Sequence, residues 1–365
     1  MSCLKNIDKT ITEQKDLYDI TQLYQFKGKD FYYNDLFKKD IKSIINETIY
    51  RECKAIVDTF DLEVSPSRLK LIVKSDSEPK NDNERFLRNA RDLFKAFANK
   101  NENFELALNQ YENISKQLFY EITKTGYKKF KKIVNRNLLQ EEEEFTKRND
   151  IEGFIIEYKR LVKRKEYELI SLIAAMQVDF MKSDALMHHT DIVNLFWLYG
   201  VLYKEGFYMF RYVSFFEIYN LHKDEFKDAA LESQINWDRG YANAAPLAAV
   251  IRRMMIEGYR KVDDMIRAKE IHITNRKTDL VESVILKNLP EVFTKENIRE
   301  VLVDVSTVTI DRTLERMRKE NKIRPNGTGR SATWQRLVDV KEFDEEQVMQ
   351  TNIFQFLTDE ESEGK

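Results

Sequence analysis

A chain of 365 residues, 42% of them apolar, carries enough hydrophobic side chain for a sizeable core spread over two or three domains and is no disordered sequence. Ten glycines and five prolines leave too little punctuation for a turn-rich β architecture, so most of the chain is expected to be helical. A formal net charge of −2 selects no partner class, and two cysteines, Cys3 and Cys53, supply neither a disulfide framework nor a zinc site, which fits a reducing cytoplasm. No signal peptide is recognised, and the longest apolar run, Val193 to Tyr203, is interrupted by Asn194 and too short to span a bilayer; a cytoplasmic protein with no membrane partner is expected.

In chain order, the stretch Glu52 to Phe97 ends in an apolar stripe at helical spacing, Phe86, Ala90, Leu93, Phe94 and Phe97. Gly126 to Val134 then carries four lysines, read as a solvated edge, and the acidic run Glu141 to Glu144 is expected to top an exposed helix. An apolar helix over Leu169 to Lys182 leads into DALMHHTDIVNL, Asp184 to Leu195, and a second helix over Asn194 to Lys204 ends at Gly206. The aromatic step Phe207 to Ser214 follows, then helices within Phe215 to Ser233 and Pro246 to Glu270. The last of these has a buried stripe of Val250, Met254, Met255, Tyr259 and Val262. The pair His188-His189, with no other histidine or cysteine near in sequence, falls short of metal-site spacing.

The order and spacing of the two helices, the intervening segment, the glycine and the aromatic step resemble the core of Fic-domain proteins, although the signature HPFx(D/E)GNGRxxR is absent as letters. Laid on that signature without a gap, the general-base histidine becomes Asp184, a weaker base than imidazole by about 2–3 pKa units. General-base help of this kind is worth roughly 10²–10⁴-fold. The acidic Mg²⁺ ligand becomes His188, a nitrogen donor that a hard cation does not prefer. The glycine-rich phosphate cradle becomes His189-Thr190-Asp191, which sets a negative charge where phosphates would lie. The two phosphate-clamping arginines become Ile192 and Leu195. The resemblance extends upstream to the segment carrying the inhibitory helix of some family members, whose blocking glutamate corresponds to Phe60 and whose motif corresponds to Ile56 to Asp61. Asn103 to Tyr120 corresponds to the family's next helix, and Gly126 to Val134 to its target-binding flap. The resemblance implies a multi-helix Fic-like core with an N-terminal helical extension, residues 1–100 and 101–271. It implies no catalytic residue at the degenerate positions.

Lys277 to Leu337 resembles a winged helix-turn-helix. The first helix carries Leu280, Val281, Val284 and Ile285, Thr294 caps a second over Lys295 to Leu302, and Val303 to Val305 is the turn. Ser306 caps a third helix with a buried stripe of Ile310, Leu314 and Met317; opposite lie Thr309, Arg312, Arg316 and Lys319, where groove-facing residues would be. Pro325 to Arg330 makes the tight turn of a two-stranded wing, with Arg330 a further candidate DNA contact. From Val305 to Leu337 eight basic residues face three acidic ones, the footprint a phosphate backbone would meet, while the segment 338–365 is an acidic tail with nine acids and two lysines.

The fold class expected is therefore mainly α with a small C-terminal α+β winged helix at residues 277–337. Two readings of function remain open. One is a Fic-fold pseudoenzyme acting as scaffold for a winged helix that binds duplex DNA or a protein, with no cofactor and with a homodimer allowed. The other is a divergent transferase using a nucleotide or nucleotide-sugar donor, weak AMP transfer included, in which ATP and Mg would take part.

Overall fold

The expected helical composition is what the computed structural model of the chain shows over the residues it describes: 2–10, 13–98, 104–136, 139–302, 305–327 and 333–337. Arg330, the residues 303–304 of the turn, Asn103 and the tail 338–365 lie outside them. The chain divides into two units, Met1–Asp264 and Met265–Lys365.

In the first unit a 3₁₀ turn, Leu4–Lys9, precedes α1 (Gln14–Lys27), α2 (Asp30–Leu36), α3 (Ile41–Thr59), α4 (Pro66–Ser75), α5 (Asp82–Ala98) and α6 (Leu108–Leu118). A hairpin of β1 (Lys129–Arg136) and β2 (Leu139–Thr146) leads to α7 (Arg148–Arg164), α8 (Leu169–Ser183) and α9 (Thr190–Lys204). A second 3₁₀ turn, Tyr208–Arg211, is followed by α10 (Phe215–Leu221), α11 (Lys223–Ser233) and α12 (Ala245–Lys287), in which the division between the units falls.

The helices α8 and α9 pack on each other, with α7 against α8 and α6 against α9. Neither has a polar face. Every residue from Leu172 to Phe180 and from Val193 to Tyr203 is buried, which is why both read as continuous apolar runs rather than amphipathic stripes. Trp197 sits fully buried among Phe104, Tyr111 and Phe180. Side chains of this size contribute about 1.5–3 kcal/mol each when removed from water. At Gly200 a Cβ would meet the Phe104 ring at 2.3 Å, so only glycine admits that ring. Gly206, at φ +85°, ends α9: its own N–H donates to the Tyr203 carbonyl (3.1 Å) and that of Phe207 to Leu202 (3.0 Å).

A helix buried on all sides needs its polar groups satisfied internally. Asp179, 0% exposed on α8, accepts from Ser2 Oγ (2.6 Å), the amides of Cys3 (2.5 Å) and Leu4 (3.1 Å), and Trp237 Nε1 (2.7 Å). The N-terminal segment is held on α8 by these bonds and by buried Leu4 and Ile7. Buried Arg252 of α12 bridges Asp16 (3.2 Å) and Glu168 (3.2 Å), and Glu168 also caps α8 through the amides of Ile170 and Ser171. Glu52, 0% exposed on α3, accepts from Ser214 Oγ (2.6 Å) and the amides of Phe215 (2.7 Å) and Phe216 (3.0 Å) at the start of α10.

The acidic run Glu141 to Glu144, expected on a helix, lies instead in β2. Its partner strand is lysine-rich, with Lys131 opposite Glu144 and Lys132 opposite Glu143, and Lys129 Nζ reaches Glu144 at 2.5 Å. Opposite charges facing across an antiparallel pair support the extended pairing. The second core helix starts at Thr190, four residues before the expected Asn194.

The second unit contains the end of α12, a short β3 (Val292–Phe293), α13 (Lys295–Val301), α14 (Thr307–Lys319), β4 (Ile323–Asn326) and β5 (Thr333–Arg336), with antiparallel strand order β3-β5-β4. Thr294 and Ser306 cap α13 and α14 by accepting from Asn297 N and Thr309 N. The core holds Val281, Val284, Ile285, Ile298, Ile310, Leu314, Met317 and Ile323. Leu280, read as part of the first apolar stripe, is 49% exposed. Among the described residues no helix is long and apolar enough to cross a membrane.

Burial raises the Glu52 carboxyl to about 7 despite its three donors, and burial likewise raises Asp30 to about 6 and Asp179 above its ordinary range. Between the unfolded glutamate value near 4.3 and the folded value, the native chain holds a proton that the unfolded chain has released, so stability falls as pH rises through that window. The melting temperature is expected to drop between about pH 5 and about pH 8, with Glu52 contributing roughly 2–4 kcal/mol of the change. Glu52→Gln should flatten that slope in thermal melts; an unchanged slope would refute the assignment.

Candidate functional site

The segment 184–195 forms the link between α8 and α9. The helix α8 stops at Asp184, whose φ of 43° is left-handed, and α9 begins after His189, at φ 56°. Aspartate and histidine are among the non-glycine residues that tolerate this region, at a cost of order 1 kcal/mol each. The loop between them is thus turned without the glycines of the Fic signature.

The chain just before β1 runs along this loop as a short antiparallel strand. The amide of Met187 donates to the Gly126 carbonyl (2.9 Å), that of Lys128 donates to the Ala185 carbonyl (2.8 Å), and Tyr127 lies opposite Leu186. Thr190, buried, ties the loop from inside, its Oγ1 lying 3.2 Å from both the amide and the carbonyl of Leu186. Several backbone groups of the loop are therefore already bonded within the chain.

The Asp184 carboxylate pairs with the Lys128 ammonium. Burial pushes this carboxyl up, but hydrogen bonds from Lys128 and Thr190 and the charges of Lys128 and Lys147 outweigh it and hold the group below the usual carboxylate range. Such a group is a poor proton acceptor at neutral pH. Lys147 Nζ also donates to the Ser183 carbonyl (2.5 Å).

His188 is exposed, while the His189 ring, also exposed, stacks on Phe119 with centroids 4.6 Å apart and planes 13° from parallel. Asp191 is exposed in the first turn of α9, where a carboxylate complements the positive end of the helix and opposes an incoming anion. Ile192 is half-buried and Leu195 is 6% exposed. No lysine or arginine stands at any of the twelve positions. Among the described residues no three His, Cys, Asp or Glu side chains converge as a metal ion would require.

Phe60 is half-buried at the end of α3, in an aromatic group with Phe86, Phe196 and Phe216 at centroid distances of 5.8, 6.4 and 5.9 Å. Phe196 is the neighbour in sequence of Leu195. The two positions that the resemblance aligns with a carboxylate and its arginine thus both carry apolar groups engaged in packing.

In the second unit Arg312 and Lys319 are exposed on α14, with no ion pair among the described residues. Thr309 is half-buried, its hydroxyl 2.9 Å from Ser306 Oγ. Arg316, expected on the open face, instead pairs with Glu282 (2.5 Å) and lies 3.7 Å from Asp279. Glu282 also holds Lys322 (2.6 Å), and Arg318 pairs with Glu315 (2.8 Å). The sequence reading missed Glu282 because nothing in a linear pattern says which acid of α12 will meet α14. It missed Lys128 and Lys147 as partners of the 183–184 turn for the same reason.

No family model matches the chain, and no curated protein matches it. Among solved structures, a Fic family protein from Desulfovibrio desulfuricans G20 is similar with a TM-score of 0.52 at 9% identity, over 90% of this chain and 97% of that one. A Fic domain containing signaling protein from Bacteroides thetaiotaomicron VPI-5482 gives a TM-score of 0.48 at 10% identity, over 67% of this chain and 96% of that one. The first likeness shows a Fic-like fold. Since the first unit ends at Asp264, a match over 90% of the 365 residues extends into the second unit.

The packing role of Phe60 is open to measurement. Phe60→Ala should lower unfolding stability by about 2–3 kcal/mol, and Phe60→Glu by more, because it sets a carboxylate among three aromatic rings. Equal and small losses in urea titrations of both variants would show that the aromatic group does not depend on this ring.

Proposed function

We propose that this chain is a Fic-fold pseudoenzyme, a helical body whose aligned reaction segment has turned to packing and which serves as scaffold for a C-terminal winged helix that contacts duplex DNA. The observation that carries the first half is the link 184–195. There Asp184 is engaged by Lys128, His189 by Phe119, and Leu195 by the core, while none of the twelve positions holds a lysine or arginine.

The second half is supported by the order of elements in the unit Met265–Lys365. Three helices, the last capped by Ser306, are followed by paired strands β4 and β5, the succession of a helix-turn-helix with a wing. Exposed Arg312 and Lys319 on α14 would meet the phosphate backbone, with Arg318 and Arg324 near in sequence. Duplex DNA is favoured over a protein surface by the exposed charges of Arg312 and Lys319, and the likeness to a Fic family protein over 90% of the chain is in keeping with one polypeptide carrying both parts.

A divergent transferase is the second reading, favoured by His188 and Asp191 remaining exposed beside the N-terminus of α9. It calls for binding of a nucleotide or nucleotide sugar; a donor present at about 100 times its Kd would stabilise the chain by about 2.7 kcal/mol. A thermal-shift panel of such donors with Mg²⁺ separates the readings: a shift that His188→Ala removes supports the transferase.

Fluorescence anisotropy with a labelled duplex tests the DNA contact. Binding is expected to weaken steeply with salt, and Arg312→Glu combined with Lys319→Glu should flatten the log–log salt slope by about 2. Arg316→Glu should act differently, lowering the melting temperature by setting a third acid against Glu282 and Asp279. Absence of binding at low salt, or a double variant with the parent affinity, would overturn the DNA contact.

A further inference from the structure

The outward row of α14 contains one side chain that phosphate contacts leave without a task. Ile310, Leu314 and Met317 bury one side of this helix, and at 3.6 residues per turn Val308, Arg312, Glu315 and Lys319 fall on the opposite side. Three of these four are charged. The fourth, Val308, is 75% exposed, the most exposed large apolar side chain of the second unit among the described residues; Leu280, Val292, Val301 and Leu337 stand at 47–50%.

The charges along the row are sorted by pairing within the unit. Asp311 pairs with Lys295 (2.6 Å) and Glu315 with Arg318 (2.8 Å), so each acid of α14 has a cation of its own. Arg312 and Lys319 are exposed with no ion pair among the described residues. The row thus offers positive charge along its length and an apolar group in its first turn.

A valine adds nothing to a phosphate contact, since its side chain has neither donor nor charge. Its β-branched side chain is held in one main rotamer within a helix, so its methyl groups are presented at little entropic cost. In the major groove, which the N-terminal residues of a recognition helix enter, the base edges display donors, acceptors and one apolar group, the C5-methyl of thymine. Cytosine shows an amino group at that edge, which valine cannot satisfy. Arg312 follows one turn later, about 6 Å along the axis, in reach of the backbone within about two base pairs of the base that Val308 meets.

We infer, resting on the duplex-DNA contact proposed above, that Val308 reads the C5-methyl group of a thymine and so sets a base preference at one place in the bound site. Arg312 and Lys319 hold the backbone, and Val308 supplies sequence discrimination that charge alone lacks.

The test selects duplexes bound by the full chain from a random library, sequences them, and remakes the recovered site with uracil at each thymine in turn. Uracil lacks only the methyl group. One thymine is expected to lose about fourfold in affinity on this change, the value of one buried methyl. Val308→Ser, at an exposed position and of similar helix propensity, should leave the melting temperature in place and bind the thymine and uracil duplexes alike. Binding of duplexes with no thymine enriched, equal affinity of the parent chain for every thymine and uracil pair, or a thymine preference kept by Val308→Ser would each overturn the role of Val308 while leaving the DNA contact standing. Absence of binding to any duplex at low salt would overturn both.

Discussion

The α8–α9 pair imposes its terms on the first unit because neither helix has a side that can face water. Helices of this kind must be covered all round, and the covering is done by α6, by α7 and by the N-terminal segment that Asp179 holds. Polar groups caught inside are then expensive unless partnered. Asp179 meets four donors, Gln177 donates to the Asn194 carbonyl (3.1 Å) and Asn194 accepts from Tyr111 (2.8 Å). The result is a scaffold in which a few buried polar groups specify how the apolar surfaces are arranged. Glu52 and Arg252 extend the same logic to α10 and α12, each serving several donors or acceptors from elements distant in sequence.

The link between α8 and α9 is held by side chains of its own and by the chain before β1. An anion cradle needs amides pointing outward, a backbone free of side-chain bulk and cations held close by. Here the left-handed turns are made by Asp184 and His189, the loop edge is paired with Gly126 and Lys128, and the arginine positions hold Ile192 and Leu195. Thr190 bridges the link from within, and His189 is laid flat on Phe119. Phe60 belongs to the same pattern, an aromatic contribution where the resemblance aligns a carboxylate.

In the second unit, intramolecular charge pairing divides the basic residues of α14 into two groups. Glu282 draws Arg316 and Lys322 inward, which fixes the end of α12 against α14 and β4, while Arg312 and Lys319 remain outward. Arg336 serves structure as well, donating to the carbonyls of Ile285 (3.1 Å) and Leu286 near the end of α12. The count of basic residues therefore overstates the charge such a surface can offer to a polyanion.

The helical class, the positions of α8, α9, α13 and α14, the capping of the last two by Thr294 and Ser306, and Gly206 as the stop of α9 were legible because each depends on local chemistry: hydrophobic period, a capping oxygen, a residue at home at positive φ. The residues at 184–195 were legible as types. What they now do was not, since ion pairing with Lys128 and stacking on Phe119 join residues far apart along the chain. The strand at Glu141 to Glu144 escaped the reading because its extended form depends on a lysine-rich partner strand. Arg316 was assigned outward because helical spacing gives a face but not the neighbour that faces it. The sequence by itself determined the helical class and the places of the main helices, set by side-chain type within a few residues. Only the tertiary structure decided which charges are paired, buried or left open, because electrostatic partnership depends on distance through space.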